Sequence, residues 1–124
     1  MARGQPFDRE AARELEIFMD NDQGIYRRRL EFEKAAAKKM CSGKYDPAKA
    51  PKLFGYLATE AAKEYDRQFS GHDWGRIFSP ATRSHVATAL AREFEERVRE
   101  HKAGKYHDLA PEVAALLDSP KCRR

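Results

Sequence analysis

Apolar residues recur along this chain at spacings of three and four, the period of helices that bury one face. The first such segment follows Asp8, a residue type that caps helix N-termini, and places Ala11, Leu15 and Phe18 together. It stops at Asp20-Asn21-Asp22, short polar side chains that end one helix and cap the next. A second segment, 22–42, carries Ile25, Tyr26, Leu30, Ala36, Ala37, Met40 and Cys41 on its apolar face, with Gly43 expected just past its end. Asp46-Pro47 signals another start, but Pro51 lacks the N–H that a helix begun there would need. The expectation is a turn over 47–50 and a helix over 51–69, with Phe54, Leu57, Ala58, Ala61, Tyr65 and Phe69 on one face. Residues 70–78 read as a structured loop. Ser79-Pro80 opens a fourth helix with the stripe Val86, Ala87, Leu90, Ala91, Phe94 and Val98, closed by Gly104. A short helix over 111–117 precedes a basic tail.

No stretch alternates with period two, so the predicted fold is all-α: a compact bundle of four main helices plus a short C-terminal one. Residues 1–119 would form a single domain, and 120–124 the tail. Leu30-Glu31-Phe32-Glu33 leading to Ser42-Gly43-Lys44-Tyr45 is echoed by Arg92-Glu93-Phe94-Glu95 leading to Ala103-Gly104-Lys105-Tyr106. Either the hairpin is duplicated, or two helices use the same Gly-then-Lys ending.

Composition alters this picture in one respect. Charged residues make up 35% and mean hydropathy is -0.84, values that hint at disorder, yet 41% hydrophobic content and regularly spaced aromatics supply a core. A chain of 124 residues can bury roughly two-thirds of its unfolded surface without a metal or a disulfide. Cys41 and Cys122 lack C-x-x-C spacing, and the default expectation is two ordinary thiols in a cytoplasmic protein, Cys41 in the core and Cys122 exposed. No run approaches the length of a membrane span, and the first residues lack a signal-peptide pattern.

Charge is unevenly distributed. Residues 26–52 hold nine Lys or Arg against three acids, a net of +6, whereas residues 1–25 hold three bases against six acids, a net of -3. Arg27, Arg28, Lys34, Lys38 and Lys39 share a helix face about three turns, roughly 16 Å, long, and Lys44 follows at the turn. Such a face meets phosphates or an acidic protein surface. The competing reading is a solvated face neutralised by the acidic first helix. A second candidate is the loop of His72, Trp74 and Arg76, whose aromatic suits an interface but equally plugs a gap between helices.

Other chemistry finds little support. The four histidines include no i, i+4 pair, and His101 meets His107 only if Gly104 folds the chain back, so no metal is expected. Phosphate-cradling glycine motifs, Glu-x-x-His pairs and nucleophile elbows are absent, and the carboxylates Glu14, Glu16, Glu60, Glu64, Glu93, Glu95 and Glu96 read as solvated. No cofactor and no enzyme activity are expected.

Asp20-Asn21-Asp22 through Tyr26, Gly43-Lys44-Tyr45-Asp46, Lys52-Leu53-Phe54, Tyr56-Leu57 and Glu64-Tyr65 through Phe69 resemble short uncharacterised helical proteins of phages, plasmids and other bacterial mobile elements. The resemblance covers roughly residues 14–98 and consists of turns, caps and core positions. Pro51 and the chain beyond residue 104 depart from it. It implies a shared fold and a mobile-element origin, and carries over no catalytic residue. Two functions are expected as alternatives: an accessory module that binds another protein and modulates a host or defence complex, or a sequence-independent nucleic-acid binder using the same basic face.

Overall fold

A computed structural model describes residues 7–69 and 74–122. Among them lie six helices: α1 Arg9–Asn21, α2 Gln23–Cys41, α3 Ala50–Phe69, α4 Trp74–Ile77, α5 Pro80–Lys102 and α6 Pro111–Leu117. The fold is all-α. The extra element relative to the sequence reading is α4, a single turn where a loop was expected, while residues 70–73, with His72, lie outside the described residues.

Local chemistry explains the boundaries. The Asp8 carboxylate accepts from the N–H groups of Glu10 and Ala11, Asp22 from Ile25, and the Ser79 hydroxyl from Thr82, satisfying donors that a helix start leaves free. Pro51 falls in the first turn of α3, where its missing N–H costs nothing. Gly43 (φ 74°) and Gly104 (φ 73°) adopt the left-handed conformation, and the bonds around them match residue for residue. Lys44 N–H donates to Lys39 and Gly43 to Met40, just as Lys105 donates to Glu100 and Gly104 to His101. These are two Schellman endings. The helices that follow them differ in placement, since α3 pairs antiparallel with α2 whereas α6 packs mainly on α2. The echo is therefore one of cap chemistry and does not extend to the packing.

The centre is an antiparallel pair, α3 on α5, with Phe54, Leu57, Ala58, Ala61 and Ala62 facing Val86, Ala87, Leu90, Ala91, Phe94 and Val98. The predicted stripe of α5 is buried in full. Helix α1 adds Ala12, Leu15, Phe18 and Met19, with Ala12 more deeply buried than the expected Ala11. Two expected core residues are surface residues instead: Tyr26 is 48% exposed and Phe69 64%, although the Phe69 ring still lies against Phe18 and Tyr65. On α2 the buried line runs Ile25, Arg29, Glu33, Ala36, Ala37, while Tyr26, near the start of the helix, lines an open pocket with Arg29, Leu30 and Glu33 and stays exposed.

The cysteines also depart from expectation. Cys41 and Cys122 form a disulfide that ties the end of α2 to the segment after α6 across 81 residues. Two separate thiols are thus replaced by a covalent clasp, because α6 lies along α2 and brings the chain end beside Cys41.

Closing a loop of that length constrains the unfolded chain by on the order of 4 kcal/mol. A Cys41→Ser/Cys122→Ser protein should lose a large part of that in urea unfolding, and equal midpoints would show that the clasp contributes nothing. In α3 a Cβ added at Gly55 would sit 4.0 Å from the Ala87 Cβ, an ordinary contact. Since glycine inside a helix costs about 1 kcal/mol relative to alanine, Gly55→Ala should raise stability by up to that amount in the same assay.

Candidate interaction surface

The basic face begins with the register of α2. Its buried line passes through Arg29 and Glu33, which turns Arg27, Glu31, Lys34 and Lys38 toward solvent and puts Arg28 and Lys39 on the flank near α3. Arg28 is not the free cation that the sequence reading assumed. Its Nε and Nη2 donate to the two carboxylate oxygens of Glu60, each at 2.9 Å, and Nη1 donates to Glu31 at 2.5 Å. The guanidinium also lies 5.3 Å from the Phe32 ring centre. The Glu60 hydrogen bonds, ahead of any other cause, hold its proton more tightly than usual. Arg28 stitches α2 to α3, so its charge is shared with two carboxylates. Glu60 is correspondingly a bonded carboxylate.

Of the remaining cations, Lys38, Lys39 and Lys44 gather at the C-terminal end of α2, with Lys34 mid-helix and Arg27 near its start. Arg27, Lys34, Lys38, Lys39 and Lys44 form no ion pair among the described residues, and Lys49 and Lys52 extend the patch onto the start of α3. The turn that presents them is fixed from several sides. Lys39 C=O accepts from both Lys44 and Tyr45, and the Asp46 carboxylate accepts from Ala48 N–H. Tyr45 Oη donates to Glu95 at 2.5 Å, while Arg92 donates to Glu95 and to the Pro47 carbonyl. Burial first, and the bond to Glu95 second, push the Tyr45 hydroxyl well above its ordinary range, so it stays a donor. Glu95 is largely buried here, which corrects its reading as a solvated carboxylate.

Between α2 and α6 runs an open groove of about 580 Å³ beside the disulfide, its floor mainly apolar, with Lys38 on one rim and Lys121 on the other. The sequence carries no sign of it, because its two walls lie some eighty residues apart and meet only where α6 packs along α2 and the Cys41–Cys122 bond closes its end.

Trp74 opens α4 and is half-buried, packed against the core between two cations: Lys63 Nζ lies 5.2 Å and the Arg83 guanidinium 4.9 Å from its ring. Arg83 also donates to the Phe78 carbonyl and to the Thr59 hydroxyl. This is the gap-plugging arrangement, and it leaves exposed Arg76 as the member of that candidate group facing solvent.

Two further constellations stand out, the first outside the sequence reading and the second raised there only on the condition that Gly104 folds the chain back. Arg29, with its side chain 10% exposed, donates to Glu33 (3.2 Å) and Asp20 (3.3 Å) and lies 3.9 Å from Glu93. Glu33 is 4% exposed, and its burial raises its pKa against the opposing pull of Arg29. Burial, then Glu93, raise that of neighbouring Glu16. The acidic first helix does neutralise α2, but at one buried arginine. The available signal was an i, i+4 pair of opposite charges lying within the line from Ile25 to Ala36. The second constellation follows from Gly104, which does fold the chain back. Leu109 N–H donates to His107 Nδ1, leaving His107 Nε2 to donate to His101 Nδ1 (3.0 Å) and His101 Nε2 to donate to Asp118 (2.8 Å). This chain ties α5 to the end of α6. Among the described residues no three His, Cys, Asp or Glu converge as metal ligands do, and no helix is long and apolar enough to cross a membrane.

Compared with protein-family models, curated proteins and solved structures, the chain matches none.

The buried pair makes a prediction of definite sign. Arg29→Met leaves Glu33 buried without its main partner and should cost about 3 kcal/mol or more near neutral pH. Because the folded-state pKa of Glu33 is raised, its ionised form opposes folding as pH rises through that value, and below its unfolded value the penalty vanishes. The deficit of Arg29→Met should therefore shrink as pH is lowered toward 4 in denaturant titrations. A deficit constant across that range would exclude ionised Glu33 as its source.

Proposed function

We propose that this chain is a non-catalytic accessory module that binds the acidic surface of another protein through the lysine patch formed by Lys34, Lys38, Lys39, Lys44, Lys49 and Lys52. The observation that carries this reading is the combination of unpaired lysines and a rigid turn: the cations are available, and the backbone presenting them is held by Tyr45, Arg92 and Glu95. Such a patch steers an oppositely charged partner and sets the association rate. The resemblance to mobile-element proteins fits a partner in a host or defence complex. The cytoplasmic assignment leaned on two separate thiols, and the Cys41–Cys122 bond removes that support, since structural disulfides persist in oxidising compartments.

Sequence-independent binding of nucleic acid is the second reading, because the same lysines suit a phosphate backbone. The two separate in one experiment. Immobilised protein is exposed to bacterial extract with and without nuclease, alongside a Lys38→Glu/Lys39→Glu/Lys44→Glu variant whose helicity is checked by circular dichroism. A discrete protein retained after nuclease, and bound on the order of tenfold more weakly by the variant, is the expected outcome. Material lost entirely to nuclease would transfer the patch to nucleic acid, and equal retention by the variant would detach function from this face.

A further inference from the structure

We infer that the groove between α2 and α6 receives apolar side chains from an acidic peptide segment of the partner. The proposal rests on the lysine-patch reading above and adds to it the place where the partner's apolar contact is made.

Three features of the groove point to this occupant. Its floor is the Cys41 end of α2 and the partly exposed Leu116 of α6, an apolar strip left uncovered at the surface. Its rims are Lys38 and Lys121, and among the described residues no acidic side chain lines it. The hydroxyls of Ser42 and Ser119 are turned inward onto the Lys39 and Leu116 carbonyls, so the walls offer few polar groups. An apolar side chain entering between two ammonium groups is best supplied by a chain bearing carboxylates on either side of it. A neutral apolar ligand would forgo both lysines, and a bare polyanion would leave the floor wet. Lys38 belongs to the groove and to the patch, so one segment can engage both. The cavity, about 580 Å³, exceeds the volume of one Leu side chain and accommodates more than one. The disulfide fixes the outer wall: Ser119 and Lys121 follow α6 and are held to α2 through Cys122.

The test compares two short fluorescein-labelled peptides of Asp and Glu, one with two central Leu and one with Ser in their place, by fluorescence anisotropy on the intact protein. The Leu peptide should bind about tenfold more tightly, as partial burial of leucine predicts. Ser119→Trp, which fills the mouth, should abolish that preference while leaving the Ser peptide unchanged. Cys41→Ser/Cys122→Ser, which frees the outer wall, should also reduce it. Should Ser119→Trp fail to fold by circular dichroism, Lys121→Glu, at an exposed position, takes its place and should weaken the Leu peptide more than the Ser peptide. Equal binding of the two peptides would overturn the groove and leave the patch standing, and binding of neither would overturn both. A preference for Leu that persists in Ser119→Trp would also overturn the groove. So would a DNA duplex that binds more tightly than either peptide and is insensitive to that substitution.

Discussion

Everything in this molecule is arranged around one long contact, the antiparallel packing of α3 on α5. It brings Phe54 against Phe94, with ring centres 6.0 Å apart, and sets Gly55 beside Ala87. Alanines dominate the facing surfaces (Ala58, Ala61, Ala62, Ala87, Ala91), so the two helices interlock along small side chains with large ones between them. Neither helix can bury its stripe without the other. Once they are paired, α1 covers the seam with Leu15, Phe18 and Met19, and its start is tied down by Asp8 N–H donating to Thr82 on α5.

Helix α2 is different in kind. Its buried line contains a charged pair, and its attachment uses polar complementarity as well as apolar area: Arg29 to Asp20 of α1 on one side, Arg28 to Glu60 of α3 on the other. Such pairs contribute little net energy yet are costly to break singly, which makes them better at fixing register than at adding stability. A slip of α2 by one residue would pull Arg29 from Asp20 on α1 and Arg28 from Glu60 on α3. That register is what determines which lysines face solvent. The clasp at Cys122 and the His107–His101–Asp118 chain then hold α6 along α2, so the outermost helix is secured by covalent and polar links where its own apolar area, from Val113 and Leu117, is small.

What the sequence made legible follows from this division. Features determined locally were readable: the caps at Asp8, Asp22 and Ser79, the two left-handed glycines, and the full stripe of α5. Features that depend on what lies across the bundle were not. Tyr26 is apolar and correctly spaced, but it lies at an open pocket with Arg29, Glu33 and Arg97 and stays exposed. Arg28 counted as free charge because its partner Glu60 is 32 residues away. The disulfide depends on α6 lying along α2, and no spacing between Cys41 and Cys122 encodes that. Of the candidate surface, the lysines were found and the groove was missed, since a groove belongs to two elements together.

The division between arginine and lysine gives the surface its character. Arg28, Arg29, Arg67, Arg83, Arg92 and Arg99 are each engaged by carboxylates, carbonyls, a hydroxyl or an aromatic ring. The lysines of the patch have no such engagement. This follows from chemistry: a planar guanidinium with five donors rewards fixed, bidentate partners, whereas an ammonium is compact and strongly hydrated, and gains little from a single carboxylate in water. Arg28, Arg29, Arg83 and Arg92 therefore join elements of the bundle, while the lysines of the patch charge its outside. A surface charged by lysine attracts at a distance without specifying geometry, and its reach is limited to about a Debye length, roughly 8 Å at physiological salt. Under the proposed function, selection among acidic partners then comes from shape, and the apolar groove bordered by Lys38 and Lys121 is where this surface has shape to offer.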